Sequence, residues 1–226
     1  VRSSAASDVY KRQFLKVYES KGFKLNPNKR RRTTDSNHVY KRYPNLIKGK
    51  DVRYSNHIWV SDITYVWILG DVLYLHLVTD AYSHAVLGWC LSDSLSASHT
   101  TEALRMAIRI AGGGNLCGTI HHSDRGSQYA SEAYVSCLME HHIRISMTEG
   151  YEPTDNAMAE RQNGIFKVEW IYEQEMYRDK EQAINEINRM IDFYNNRRPH
   201  MSIGMECPME VYKGKLPGKN LWRKRP

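Results

Sequence analysis

IWVSDITYVW (58–67), VLYLHLVTD (72–80) and AVLGWCL (85–91) follow one another closely, separated by breaks that contain Gly70-Asp71 and Tyr82-Ser83-His84. All three runs are dominated by β-branched, aromatic and aliphatic residues. Such side chains fit a pleated surface, and short turn-forming breaks fold consecutive strands back on one another. The stretch therefore predicts a three-strand antiparallel meander, the start of a sheet.

Working outward, the downstream pattern alternates between helical and extended periods. Ser98 is read as the N-cap of a helix running through Ala111, with Leu104, Ala107, Ile108 and Ala111 on its apolar face and Gly112-Gly113-Gly114 as its stop. A short strand over Gly118–His122, a helix over Ser131–His141 and a strand over Ile143–Thr148 follow. A loop with Gly150 and Pro153 leads to a helix over Asn156–Tyr172. The last long helix, Asp179–Asn196, opens on an Asp179/Gln182 capping-box pattern and turns Ile184, Ile187, Ile191 and Tyr194 inward. The order βββαβαβα specifies an α/β domain with the RNase H-like fold, a five-stranded mixed sheet flanked by helices.

Three acids stand out against this frame: Asp62 in WVSDITY, Asp124 in HHSDRGSQY and Glu160 in DNAMAER, with 35 residues between the second and third. A lone Asp at a strand end is usually a cap or turn residue, as Asp80 and Asp93 are read, and Asp155 could simply cap a helix. Carboxylates from three separate segments can instead converge on a pair of divalent metal ions and act on phosphodiesters. At about 100° per residue, Met158, Ile165, Val168 and Tyr172 fall on one helix face, and Asn156, Glu160, Asn163 and Lys167 on the other. The apolar stripe is fit to pack on the sheet, and Lys167, two turns beyond Glu160, is fit to meet a phosphate. His121 and His122 are read as packing beside Asp124.

These words and the 35-residue gap resemble the transposase and retroviral-integrase superfamily, above all the OrfB-type transposases of bacterial insertion sequences, the IS-three group. The resemblance spans Thr33 to Tyr212 and includes TTDSNH, YPNLI and YNNRRPH. It implies a DNA transposase that cleaves element ends and transfers strands. Asp62 and Asp124 would bridge two Mg2+ ions and Glu160 would complete one shell, with Mn2+ as a substitute. It also implies contacts to element-end and target DNA, a homodimer or higher oligomer on that DNA, and a catalytic role for Asp62, Asp124 and Glu160. Arg161 departs from the pattern, since many relatives carry Ser after the glutamate. Alternatives on the same fold are a nuclease that hydrolyses without joining and a DNA-binding remnant without chemistry.

Charge fits a polyanionic partner. Of the net +7, a segment from Lys24 to Arg53 holds ten Lys/Arg against two acids, and Val211 to Pro226 adds six Lys/Arg and no acid. Two basic arms thus flank an acidic middle. Expected DNA contacts are Lys29, Arg30, Arg31 and Arg32 in the first arm, with Arg125, Asn156, Asn163 and Lys167 near the acids. A glycosidase built on paired carboxylates would leave those arms unexplained.

With 41% hydrophobic residues the chain can bury a core, and no apolar run is long enough to span a bilayer. A cytoplasmic, nucleoid-associated bacterial protein is expected. The scattered Cys90, Cys117, Cys137 and Cys207 are read as buried free thiols rather than a zinc site. The expected organisation is a non-native, adaptor-derived segment over 1–13 and a basic linker with a remnant of an upstream DNA-binding region over 14–50. An integrase-like catalytic core over 51–212 and a basic tail over 213–226 complete it.

Overall fold

Residues 38–149 and 177–216 are described by the structure, a computed structural model of the chain. The predicted meander is present as β1 (Ile58–Ile68), β2 (Asp71–Asp80) and β3 (Val86–Ser92), paired antiparallel in sequence. Helix α1 (Ala97–Ile110) crosses to β4 (Ile120–Ser123). The short α2 (Ser127–Ala130) and α3 (Glu132–Glu140) lead to β5 (Arg144–Met147). Helix α4 (Lys180–Asn196), a single 3-10 turn (Met201–Ile203) and α5 (Pro208–Tyr212) close the described chain. The five strands form one mixed sheet in the order β3-β2-β1-β4-β5, with β4 and β5 parallel to β1.

Strand alternation splits the core into layers. Trp59, Ile63 and Val78 face one way and pack with Ala103, Leu104 and Ala107 of α1 and Tyr134 and Leu138 of α3. Val66, Leu73, Leu75 and Leu77 face the other way, against Ala183, Ile187, Met190, Ile191 and Tyr194 of α4. Buried on both faces, β1 and β2 read as nearly continuous apolar runs.

Gly88 sets how closely α1 lies on β3. A Cβ there would fall 2.0 Å from the Ala103 carbonyl oxygen and 2.9 Å from the Ala107 nitrogen, so only glycine permits the approach. On the other layer, the buried Asn195 carboxamide accepts from the Val86 amide at 2.9 Å and donates to the Val86 carbonyl at 2.8 Å. It replaces a neighbouring strand at the start of edge strand β3 and fastens α4 to the sheet.

Several expectations need correction. The N-cap of α1 is Ser96, whose hydroxyl accepts from the Ser98 amide, because the Ser-rich turn enters the helix two residues early. Ile184 is 36% exposed, since Ala183, Ile187, Met190 and Ile191 already fill the inner face of α4. Of the thiols only Cys137 is buried; Cys117 is exposed and the other two are intermediate. The described part of the linker has no helix or strand but is anchored: Ile47 is buried against Ile58, Val60 and Ile120, and the Leu46 amide donates to Ser146 Oγ at 2.8 Å. The capping pattern at α4 does form. Asp179 accepts from the Gln182 amide at 2.8 Å, and Gln182 Oε1 accepts from the Arg178 amide at 2.8 Å, one residue before the cap.

Candidate active site

Asp62 lies within β1, the middle strand, and Asp124 follows the last residue of β4. The β1–β4 register pairs Ile58 with Ile120, Trp59 with His121 and Val60 with His122. The observed pairing ends there; continued by two residues, the same register would set Asp62 level with Asp124. Neighbouring strands are about 4.8 Å apart, which sets the two half-buried carboxylates side by side at the carboxyl end of β4. Ligand sites in open α/β sheets are found outside such strand ends.

The turn after Asp124 is built around its carboxylate. Asp124 Oδ1 accepts from the Gly126 amide at 2.9 Å. A Cβ on Gly126 would fall 3.0 Å from that oxygen and 2.8 Å from Gln128 Oε1, so both side-chain ends lie close against the Gly126 backbone. Gln128 and Tyr129 are 6% and 2% exposed, and Gln128 Oε1 and the Tyr129 hydroxyl have no hydrogen-bond partner among the described residues. Burial pushes the Tyr129 phenol well above its ordinary pKa, and the negative charges of Asp124 and then Asp62 push it further. One hydroxyl thus senses both carboxylates, an indication of their convergence independent of the register.

Beneath this edge lies a buried polar layer. His121 Nε2 is 2.7 Å from Ser61 Oγ and 2.8 Å from the Tyr134 hydroxyl; His122 Nδ1 is 2.8 Å from Ser146 Oγ. Burial, and next the neighbouring His122, lower the His121 pKa to about 3. The imidazole is therefore neutral at ordinary pH and adds no cation beside the acids. Both histidines are buried in β4, just before Asp124 in the chain, and each bonds a neighbouring hydroxyl.

Arg125 has a more particular position than the sequence could give. Its Nε donates to the Thr148 carbonyl at 2.6 Å and its Nη2 to the Glu149 carbonyl, while His38 Nε2 is 2.9 Å from the Arg125 carbonyl oxygen. The guanidinium ties the turn carrying Asp124 to the chain leaving β5, the chain that continues to Glu160. Glu160, Lys167, Asn156, Asn163 and the Lys29–Arg32 cluster lie outside the described residues.

The donor chemistry fits a hard divalent cation. Two carboxylates present oxygen only, the set that suits Mg2+ or Mn2+ rather than a thiophilic metal. Elsewhere, Cys90 Sγ, His99 and Glu102 bring ligand-type atoms within 4.8 Å of one another. There the thiol donates to Glu102 Oε2 at 3.3 Å, and burial, followed by that carboxylate, raises its pKa to about 12. That group reads as a protonated thiol–carboxylate pair. Gln128 and Tyr129 were not picked out from the sequence as site residues; their adjacency to Asp124 in GSQY was the available signal.

The sheet order and the helices on both its faces are those of an RNase H-like α/β fold, with Asp62 in its middle strand and Asp124 just after the adjacent parallel strand. Residues 53–153 match a family described as Integrase core domain, and residues 141–208 match a second family of the same description. The protein assigned as transposase of insertion element IS986/IS6110 in Mycobacterium tuberculosis is 34% identical over 187 residues, covering 81% of this chain and 67% of that protein. Transposase InsF for insertion sequence IS3A of Escherichia coli is 35% identical over 154 residues, covering 68% and 52%. Among solved structures, the HTLV-2 integrase catalytic core domain in complex with magnesium aligns with a TM-score of 0.53 at 21% identity, covering 70% of this chain and 97% of that one. A simian T-cell lymphotropic virus intasome structure aligns with a TM-score of 0.58 at 20% identity, covering 81% and 62%. The chain belongs to the insertion-sequence transposases with an integrase core domain. It is accordingly a DNA transposase, an enzyme of insertion-sequence transposition. Among the described residues no helix is long and apolar enough to cross a membrane.

Proposed function

We propose that Asp62, Asp124 and Glu160 together hold two Mg2+ ions, with Mn2+ as a working substitute, and that this site cleaves element ends and joins them to target DNA. The alignment of Asp62 with Asp124 across the β1–β4 register carries the reading. When bound, the metal pair activates a water or a DNA 3′-hydroxyl and neutralises charge on the leaving oxygen. The chain's own work is to present the carboxylates in register, to keep His121 neutral beneath them, and to hold the Asp124 turn to the β5 exit through Arg125. Magnesium in the HTLV-2 integrase core supports the choice of ion. Dimeric and intasome forms of the structural neighbours support assembly of this chain as a dimer or higher oligomer on DNA.

DNA contact is assigned to the basic cluster Lys29–Arg32 and, beside the acids, to Asn156, Asn163 and Lys167. Arg125 joins them through whatever donors its two carbonyl bonds leave. A cytoplasmic, nucleoid-associated location follows from the same activity. Incubation with Mg2+ and labelled element-end DNA tests the proposal: strand-transfer products joined at a 3′-hydroxyl are expected. Hydrolysed ends without joined products would favour the nuclease reading instead.

A further inference from the structure

The turn after Asp124 holds two side chains that are almost fully buried yet leave an oxygen or hydroxyl without a partner among the described residues. Buried polar atoms in native proteins are nearly always hydrogen-bonded, so each exception calls for a cause such as a bound ion or water. Gln128 Oε1 is the more telling of the two. It lies 2.8 Å from the point where a Gly126 Cβ would sit, and Asp124 Oδ1 lies 3.0 Å from the same point. A neutral acceptor and a carboxylate oxygen thus border one small region, where a water or other donor would satisfy the acceptor left open. Mg2+ keeps several waters when carboxylates bind it, and each such water has hydrogens to give.

We propose that Gln128 is a positioning residue of the metal site, its Oε1 accepting a hydrogen bond from a water carried by the divalent ion on Asp124. The residue is held for this task by burial against the Asp124 turn. At Gly126 a Cβ would crowd both oxygens, so the bare backbone lets them approach this closely. The Tyr129 hydroxyl, buried next in sequence, closes the same edge from the side where both aspartates act on it. The inference rests on the proposed metal reading of Asp62 and Asp124.

The experiment is a Mn2+ titration of the full chain, with free ion counted by electron paramagnetic resonance and no DNA present. Four proteins are compared: wild type, Asp62→Asn, Gln128→Met and Gln128→Glu. Methionine matches glutamine in length and removes the acceptor. Gln128→Met is expected to bind Mn2+ about 10-fold more weakly, the low end of the effect of losing an outer-shell partner. Gln128→Glu, which keeps an acceptor in place, is expected to restore wild-type affinity or exceed it. A role in packing alone would leave Mn2+ affinity unchanged in Gln128→Met, which overturns the proposal. Weaker binding by Gln128→Glu than by Gln128→Met would also overturn it, since the amide would then be donating to Asp124. Loss of binding in Asp62→Asn with none in Gln128→Met removes this inference and leaves the metal site standing. Unchanged binding in Asp62→Asn removes the metal site itself. Circular dichroism melts accompany each protein, and Gln128→Ala replaces Gln128→Met if the latter does not fold.

Discussion

Asp80 and the Asp62–Asp124 pair belong to neighbouring strands, but their surroundings are opposite in kind. Asp80 is fully buried at the end of β2 and accepts from the Asn56 amide at 2.7 Å, the Ser83 amide at 2.8 Å and Ser83 Oγ at 2.7 Å. Burial raises its pKa, and those bonds act against the rise. All of these donors come from the loops it closes. At the other site the carboxylates are half-buried, and Gln128 and Tyr129 nearby bury an acceptor and a hydroxyl that no group among the described residues satisfies. A carboxylate that holds a fold is saturated by its own chain. The proposed ligand-holding carboxylates instead sit near polar atoms whose bonding capacity the described residues leave open.

The sharpest way to break this contrast is to neutralise each acid. Asp62→Asn or Asp124→Asn should lower strand transfer by about 1000-fold, since metal stabilisation of the transition state is worth several kcal/mol. The melting temperature should change little in either variant. Asp80→Ala should do the reverse. Leaving several buried donors unpaired costs about 3 kcal/mol, a fall of roughly 6–12 °C for a chain of this size, while strand transfer per folded molecule stays near wild type. Equal activity losses at all three positions would erase the distinction.

A smaller effect separates the regions by pH. Burial is the main cause that lowers His76 to about 4 and His121 to about 3, with the neighbouring His99 and His122 respectively as the next cause. An unfolded histidine titrates near 6.5. Between that value and the folded ones the unfolded chain takes up protons that the folded chain refuses. Stability from these groups is complete above pH 6.5 and is lost as pH falls toward 4. Asp80, whose folded pKa is raised, has the opposite sign and offsets part of the loss. Melts from pH 7.5 to 4.5 should show a declining midpoint, and a flat profile would contradict the neutral-histidine layer under the site.

Smaller still, Arg125→Gln should raise the Mg2+ concentration needed for half-maximal strand transfer several-fold, because the Asp124 turn loses its tie to Thr148 and Glu149. Affinity for DNA without metal should fall only modestly, since Arg125 is one contact among several. A change in DNA affinity with no change in metal requirement would assign Arg125 to phosphate contact alone.

Much of this was legible in the amino-acid sequence, for identifiable reasons. The meander was readable because β1 and β2 are buried on both faces and so appear as long apolar runs. Asp62 and Asp124 were readable because their flanking words are specific and each sits in or just after a predicted strand. What could not be read depends on packing between distant segments. Gly88 appears in the sequence as an ordinary strand glycine, and only the Ala103 carbonyl lying against it explains the residue. Asn195 belongs to a recognisable word, but its bonds to Val86 span 109 residues. Gln128 looks like a surface polar residue until the Asp124 turn buries it. Ser96 and Ser98 both carry cap chemistry, so local propensity could not choose between them.

Diffraction from crystals of the full chain soaked in Mn2+, with anomalous differences locating the ions, tests the central claim most directly. Anomalous density is predicted within about 2–2.5 Å of carboxylate oxygens of Asp62 and Asp124. The Glu160 carboxylate is predicted within about 10 Å of both, as paired ions some 4 Å apart require. Manganese bound elsewhere, or an ordered Glu160 beyond that distance, would contradict the shared metal site.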